Sequence, residues 1–184
     1  MSGVALTLPG LAVPTWQVRG KNDPAANALA DRHYSRRRPG SGQVGPPGHK
    51  LVLVTPCERA VWLTHWPDPA LAMDGLDAWR CSLFRNEAPA ELRSSVLIRA
   101  AMTLTALVWQ QRPADGWVTW VEPAKVASPN PGYCFKQAGW TLDRAWPHPR
   151  LVRLRAPIPP ATPGRPLGGV EACHAADTAG QVRA

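Results

Sequence analysis

The sequence predicts an α+β domain, with helices packed in layers on a mixed sheet. Three observations predict it. The hydrophobic period alternates along the chain in the order helix, strand, strand, strand, long helix, strand, short helix and last strands. Residues 79–111, WRCSLFRNEAPAELRSSVLIRAAMTLTALVWQQ, read as a buried strand, a polar loop and a long apolar helix. At Pro157 the composition changes: the last stretch has five prolines, no aromatic residue and few large apolar ones. Residues 157–184 are therefore expected to be a disordered tail, because they bury too little to offset the entropy of ordering. Residues 1–156 are expected to form one domain, a length sufficient for a substantial core.

The central stretch organises the rest. Residues 79–84 are short, mostly apolar and rich in strand-favouring types. Arg85-Asn86-Glu87 breaks the apolar run, and Pro89 blocks a continuing ladder. From Ser94 the period changes: Leu97, Ala101, Leu104 and Val108 fall three or four apart, as one helix face requires. Val96, Ile98, Ala100, Met102 and Leu107 fill the other faces, so a helix buried nearly all round is expected. Ser94 or Ser95 is the expected cap of its first-turn amides. A strand feeding a helix through a polar loop leaves free N–H groups and a positive dipole end, a geometry that binds anions.

The other elements follow in order. Residues 16–19 suit a first strand. Asp23-Pro24 starts a helix that ends near His33-Tyr34, with Asp as cap and Pro at its first position. Residues 35–48, SRRRPGSGQVGPPG, predict a basic irregular loop. Residues 50–55 and 59–65 are strands, and Pro56-Cys57-Glu58 between them is a tight turn. Residues 116–121 are a strand ending at Glu122-Pro123. Residues 131–138 are a short helix stopped by Gly139. Residues 140–143 and 151–155 are the last strands, joined by a Pro-containing turn.

Charge and cysteine usage narrow the function classes. The net charge is +8, from 21 Lys and Arg against 13 Asp and Glu. Residues 1–50 hold seven basic and two acidic side chains, a net +5. Such a field favours a polyanion such as nucleic acid, or a phosphorylated cofactor; free use of Arg in a high-GC genome gives the same count. No apolar run reaches the ~18 residues of a membrane span. The start, MSGVALTLPGLAVP, lacks the basic region of a signal peptide. Cys57, Cys81, Cys134 and Cys173 are scattered. That spacing argues against a zinc ribbon or a disulfide scaffold and suits a reducing cytoplasm.

This order of elements resembles the GNAT acyltransferase fold. The 79–111 stretch falls where that family has its acyl-CoA-binding strand, loop and helix. PNPGYCFKQAGW falls where the family has a short helix ending in Gly plus an aromatic. The resemblance implies a mixed, mostly antiparallel central sheet, acyl-CoA or another activated acyl donor, and neighbouring strands ending at Arg85–Glu87 and Glu122. Two departures stand out. The family's loop, Gln/Arg-x-x-Gly-x-Gly/Ala, is here RNEAPAELRSS, without glycine. The helical Tyr that often serves as general acid four residues before the terminal Gly is here Phe135, with Tyr133 two residues earlier. The chain also resembles a divergent GNAT-related group of phage and prophage proteins that includes Mom, which modifies adenine in phage DNA. The shared features are His33-Tyr34-Ser35, Arg85-Asn86-Glu87, Ser94-Ser95, Glu122 and the Pro-Gly-x-Cys-Phe…Ala-Gly-aromatic segment. That likeness implies DNA as partner and the cytoplasm of a bacterial host as location.

Each candidate has a chemical use and a structural alternative. Arg85 can pair with a phosphate or carboxylate, Asn86 can hold a carbonyl or a base edge, and Glu87 can act as general base. The alternative is a solvated turn. Glu122 can deprotonate an amine or simply end a strand. His33 is an acid or base near neutral pH, Tyr34 can stack on a base, and Ser35 adds a hydroxyl. The alternative there is core packing and a helix end. Trp120 shares a strand face with Glu122 and can line a pocket, although core packing is the expected role of the tryptophans generally. Tyr133, Ser94 and Ser95 are donor-binding candidates. Arg36, Arg37 and Arg38 are phosphate-binding candidates, or a solvated loop. A metal held by His33 with Glu122 or Glu87 lacks any ligand spacing.

Two readings of different class follow. One is a GNAT-like transferase acting on a nucleobase amine, with a generic small-molecule or protein N-acetyltransferase as its variant. The other is a non-catalytic nucleic-acid-binding module on the same fold, which the missing glycines favour. The polar residues at the strand ends favour the enzyme.

Overall fold

A computed structural model of the chain describes residues 16–158, apart from 69–71 and 73. The expectations for 1–15 and for 159–184 lie outside the described residues. The elements are β1 Gln17–Arg19, α1 Pro24–Asp31, β2 His49–Val54, β3 Ala60–Trp66, β4 Trp79–Asn86, α2 Ser94–Val108 and β5 Trp117–Val121. A 3₁₀ turn Pro123–Lys125, α3 Tyr133–Gln137, β6 Thr141–Leu142 and β7 Val152–Ala156 complete the chain.

The fold is α+β, built on one seven-stranded sheet in the order β1-β2-β3-β4-β5-β7-β6. Every pairing is antiparallel except β4 with β5, which is parallel. The hairpin β2–β3 turns at Pro56–Glu58, where Glu58 takes a left-handed φ of 55°. Gly116 opens β5 at φ 72°, and a Cβ there would meet the Ala156 carbonyl oxygen at 2.6 Å, so only glycine fits.

The helices cover both faces. α1 lays Ala26, Leu29 and Ala30 on Val52, Val54, Val61, Leu63 and Leu83. Asp23 accepts from the Ala26 amide at 2.9 Å and caps this helix, as the Asp-Pro start predicts. α2 and α3 cover the opposite face, over a core of tryptophans. Trp62, Trp79 and Trp117 are fully buried there, with ring centroids 5.2 Å apart for Trp79–Trp117 and 5.8 Å for Trp62–Trp117. Alternate residues of β3 and β5 meet each covered face, which is why these two strands read as nearly continuous apolar runs, whereas β4 interleaves half-buried Arg80 and Ser82. Ile158 packs on this core, so the domain reaches two residues beyond the expected 156.

Two expectations about α2 need correction. The helix is not buried all round: Leu97, Ile98, Ala101, Met102, Leu104 and Thr105 face the core, whereas Leu107 and Val108 are 47% and 41% exposed. The sheet covers one face only: Leu104, Thr105 and the following Trp109 stay on the core, whereas Leu107 and Val108 lie on the face turned away from it. Neither Ser94 nor Ser95 caps the helix; Arg93 occupies the cap position without a side-chain bond. Asn86 takes over the local bonding, donating to the Leu92 carbonyl at 2.8 Å and to Ser94 Oγ at 3.1 Å. None of the described helices is long and apolar enough to cross a membrane. Among the four cysteines, Cys57, Cys81 and Cys134 are described, and all three are free thiols.

Candidate active site

β4 and β5 run parallel only through Trp79–Cys81 against Trp117–Thr119. Beyond that they part. β4 continues through Asn86 paired with β3 alone, and β5 continues through Val121 paired with β7 alone. A bulge at Ser82 marks the separation: Leu83 and Cys81 pair with adjacent β3 residues, Leu63 and Thr64, leaving Ser82 over. A bulge bends its strand and raises its twist, which turns β4 away from β5. The wedge at the carboxyl ends of these strands opens a cleft of about 550 Å³. His33, Tyr34, Ser82, Phe84, Trp120 and Glu122 are among its walls.

The segment after α1 reaches across the sheet to this cleft. The Tyr34 phenol oxygen accepts from the Glu122 amide at 3.4 Å, which ties the end of α1 to the end of β5. Burial first pushes the Tyr34 phenol upward, so it stays protonated at neutral pH and can serve as an acid. His33 Nδ1 accepts from the Ser35 amide at 3.2 Å and lies 2.8 Å from Ser35 Oγ. An amide only donates, so Nδ1 carries the lone pair and the neutral ring bears its proton on Nε2. Burial, then the nearby Arg85 charge, lowers the His33 pKa from 6.5 to about 4. His33 is thus a neutral donor at pH 7, not the near-neutral acid or base the sequence suggests. Because the folded value lies below the unfolded one, its contribution to stability is complete above pH 6.5 and is lost as pH falls toward 4. An NMR titration of the His33 ring protons should find the midpoint near pH 4; a midpoint near 6.5 would show a solvated ring.

Glu122 lines the cleft, half-buried, and its carboxylate has no hydrogen bond or ion pair among the described residues. It is the free carboxylate of the wedge. Trp120 also lines the cleft, half-buried, with the Arg80 guanidinium 5.7 Å from its ring centre.

Several predicted site residues lie elsewhere. Arg85, Asn86 and Glu87 sit at the end of β4 but do not line the cleft. Glu87 accepts from Arg32 Nε at 2.9 Å and Nη2 at 2.7 Å, and also from Arg85 Nε. The Arg32 hydrogen bonds, then that of Arg85, hold its carboxyl down to about 2. A carboxylate so held is a weak proton acceptor, and these bonds make Glu87 a tie between α1 and β4. The Arg85 guanidinium is committed to Glu87 and to the Arg32 carbonyl. Asn86 spends its amide on the loop, and its Oδ1 accepts from the Ala88 amide at 2.9 Å. Ser94 and Ser95 open the first turn of α2, in which the Val96 amide donates to the Arg93 carbonyl at 3.0 Å and no side chain caps the helix. Tyr133 starts α3, 54% exposed and outside the cleft; Phe135 is buried and lines it. Arg36 is bound by Asp31 at 2.8 Å and by the Gln43 carbonyl at 2.7 Å. It folds its loop and is not free for phosphate. Arg37 and Arg38 are exposed, and Arg37 borders the cleft.

Sequence reasoning missed His148 and Arg150, which line the cleft from the β6–β7 turn. The signal was present in AWPHPR, where an aromatic, an imidazole and a guanidinium share a proline turn. No group of three or more His, Cys, Asp or Glu suited to a metal occurs among the described residues. Comparison with family models, curated proteins and solved structures finds no match.

Proposed function

We propose that this chain is a GNAT-like transferase that moves an activated acyl group onto a nucleobase amine, in DNA. One observation carries the reading: parallel strands β4 and β5 part at their carboxyl ends, and the cleft between them gathers a free carboxylate, a protonated phenol and a neutral imidazole donor. Ligand sites of α/β sheets favour such strand ends. A second feature supports the reading: β4, one member of the parallel pair, leads through the polar loop into α2.

The chemistry follows from these groups. The donor supplies an acyl carbon bonded to a leaving group. The edge of β4 beyond Ser82 and the His33 Nε2–H offer hydrogen bonds to its carbonyl oxygen. Glu122 takes a proton from the attacking amine as the N–C bond forms. Tyr34 gives its proton to the leaving group as the old bond breaks. Donor recognition fits in part: β4's unpaired edge and the first-turn amides of α2 suit an acyl-CoA, whereas the 87–93 loop has no glycine and is closed by Asn86. That closure is the observation favouring the alternative, a nucleic-acid-binding module without catalysis.

An NMR titration with acetyl-CoA tests the donor side. Amide shifts are expected along 82–86 and in the first turn of α2. The absence of shifts with any acyl-CoA would favour the binding module. DNA binding is expected to be electrostatic: Arg37→Ala with Arg38→Ala should reduce the salt slope by about two phosphate contacts. Arg36→Ala should instead lower the melting temperature, because Arg36 is bound to Asp31. An unchanged slope in the double variant would remove this loop from the interface.

A further inference from the structure

Two aromatic surfaces line the cleft from separate elements. The rings of His33 and Tyr34 lie 4.4 Å apart, tilted by 30°. In the β6–β7 turn, His148 stacks on Trp146 at 4.9 Å and 9°. Trp146 is held on its other sides, edge-on to Trp120 at 6.4 Å and under the Arg153 guanidinium at 4.9 Å. Arg153 is itself fixed by Asp143 at 2.8 Å. His148 Nδ1 accepts from the Arg150 and Leu151 amides, both at 3.1 Å, which sets the ring's orientation. Trp146 backs the His148 ring, and it is His148 that faces the cleft beside His33 and Tyr34. Flat, fixed, partly exposed rings suit a planar partner.

The charges beside them form a second pattern. Arg32, Arg36, Arg85 and Arg153 are each paired with a carboxylate. Arg37, Arg38 and Arg150 have no guanidinium partner among the described residues. Arg150 and Arg37 line the aromatic cleft, and Arg37 and Arg38 line an adjoining cleft of about 800 Å³. The two clefts share Ser35, Arg37, Ser82 and Leu83 as walls, so they adjoin, and together they make a groove-like surface that is aromatic at one end and cationic at the other.

We propose that this groove takes a single DNA strand, with one unstacked base held against His148 and Tyr34 beside Glu122, and its flanking phosphates on Arg37, Arg38 and Arg150. This rests on the reading that the acceptor is a nucleobase amine. In a duplex that amine is inside the stack, so a base must leave the stack to reach Glu122.

The test uses the full chain, a fluorescein-labelled 12-nucleotide strand and its duplex, followed by anisotropy. The single strand should bind roughly tenfold or more tightly than the duplex, since a paired base must first be opened. Trp146→Ala should weaken single-strand binding at least about fivefold and duplex binding little. Independently of any variant, photocrosslinking the wild-type chain to a strand carrying 5-iododeoxyuridine should label peptides holding 33–34 and 146–148. Equal binding of strand and duplex, unchanged by Trp146→Ala, would overturn the base slot and leave duplex DNA as the partner. Crosslinks confined to other segments would overturn it as well. No binding of either form would remove both the slot and the nucleic-acid acceptor.

Discussion

Glu122→Gln is expected to abolish base modification while leaving the fold and the DNA affinity nearly intact. The amide matches the carboxylate in size but cannot accept the amine's proton, and general-base catalysis typically contributes 10²–10⁴-fold. No described basic side chain pairs with Glu122, so the substitution breaks no ion pair, and the bond from its backbone amide to Tyr34 does not depend on the side chain. Tyr34→Phe should cause a comparable loss through the missing proton donor, and it retains the ring. Modified nucleoside per unit DNA, beside DNA affinity by anisotropy, checks both. A Glu122→Gln protein that modifies within about threefold of wild type would show that Glu122 is not the base, far short of the loss expected.

Leu104→Ala should cost about 2–5 kcal/mol, the usual range for truncating a core leucine. Leu104 is 3% exposed, on the face of α2 that covers the tryptophan core. Its neighbour Thr105 holds α2 to the sheet through Thr64 Oγ1 at 2.9 Å, and Thr64 in turn accepts from Trp62 Nε1 at 2.8 Å. These hydrogen bonds resist collapse of α2 into the vacancy, which places the cost toward the upper part of the range. Urea unfolding measures it. A cost below about 0.5 kcal/mol, the scale of an ordinary surface change, would mean that α2 does not cover the core.

The elements of this fold were legible because their signals are local. Asp23-Pro24 starts α1, Gly139 ends the α3 region, and the runs of β2, β3 and β5 need no partner to be read as strands. The site was legible only in part. His33, Tyr34, Trp120 and Glu122 converge as ends of elements do when the strands between them are neighbours. Arg85, Asn86 and Glu87 do not, because their partners are set by tertiary structure. Glu87 meets Arg32, 55 residues away, and Arg36 folds onto Asp31 instead of facing solvent. No periodicity reports such pairings. The bulge at Ser82 is equally silent in sequence, yet it marks where the cleft opens. The lesson for Ser94-Ser95 is similar: Ser94 Oγ accepts from Asn86, which the strand end brings to it, and neither serine caps the helix.

The central claim is that the wedge between β4 and β5 is a reaction site for a nucleobase. Mass spectrometry of nucleosides from DNA of cells expressing the wild-type chain, beside cells expressing Glu122→Gln, tests it most directly. The account predicts a nucleoside heavier than one of the four normal ones by an acyl-type group, present with wild type and absent with the variant. Identical nucleoside profiles from both, with no added mass, would contradict it.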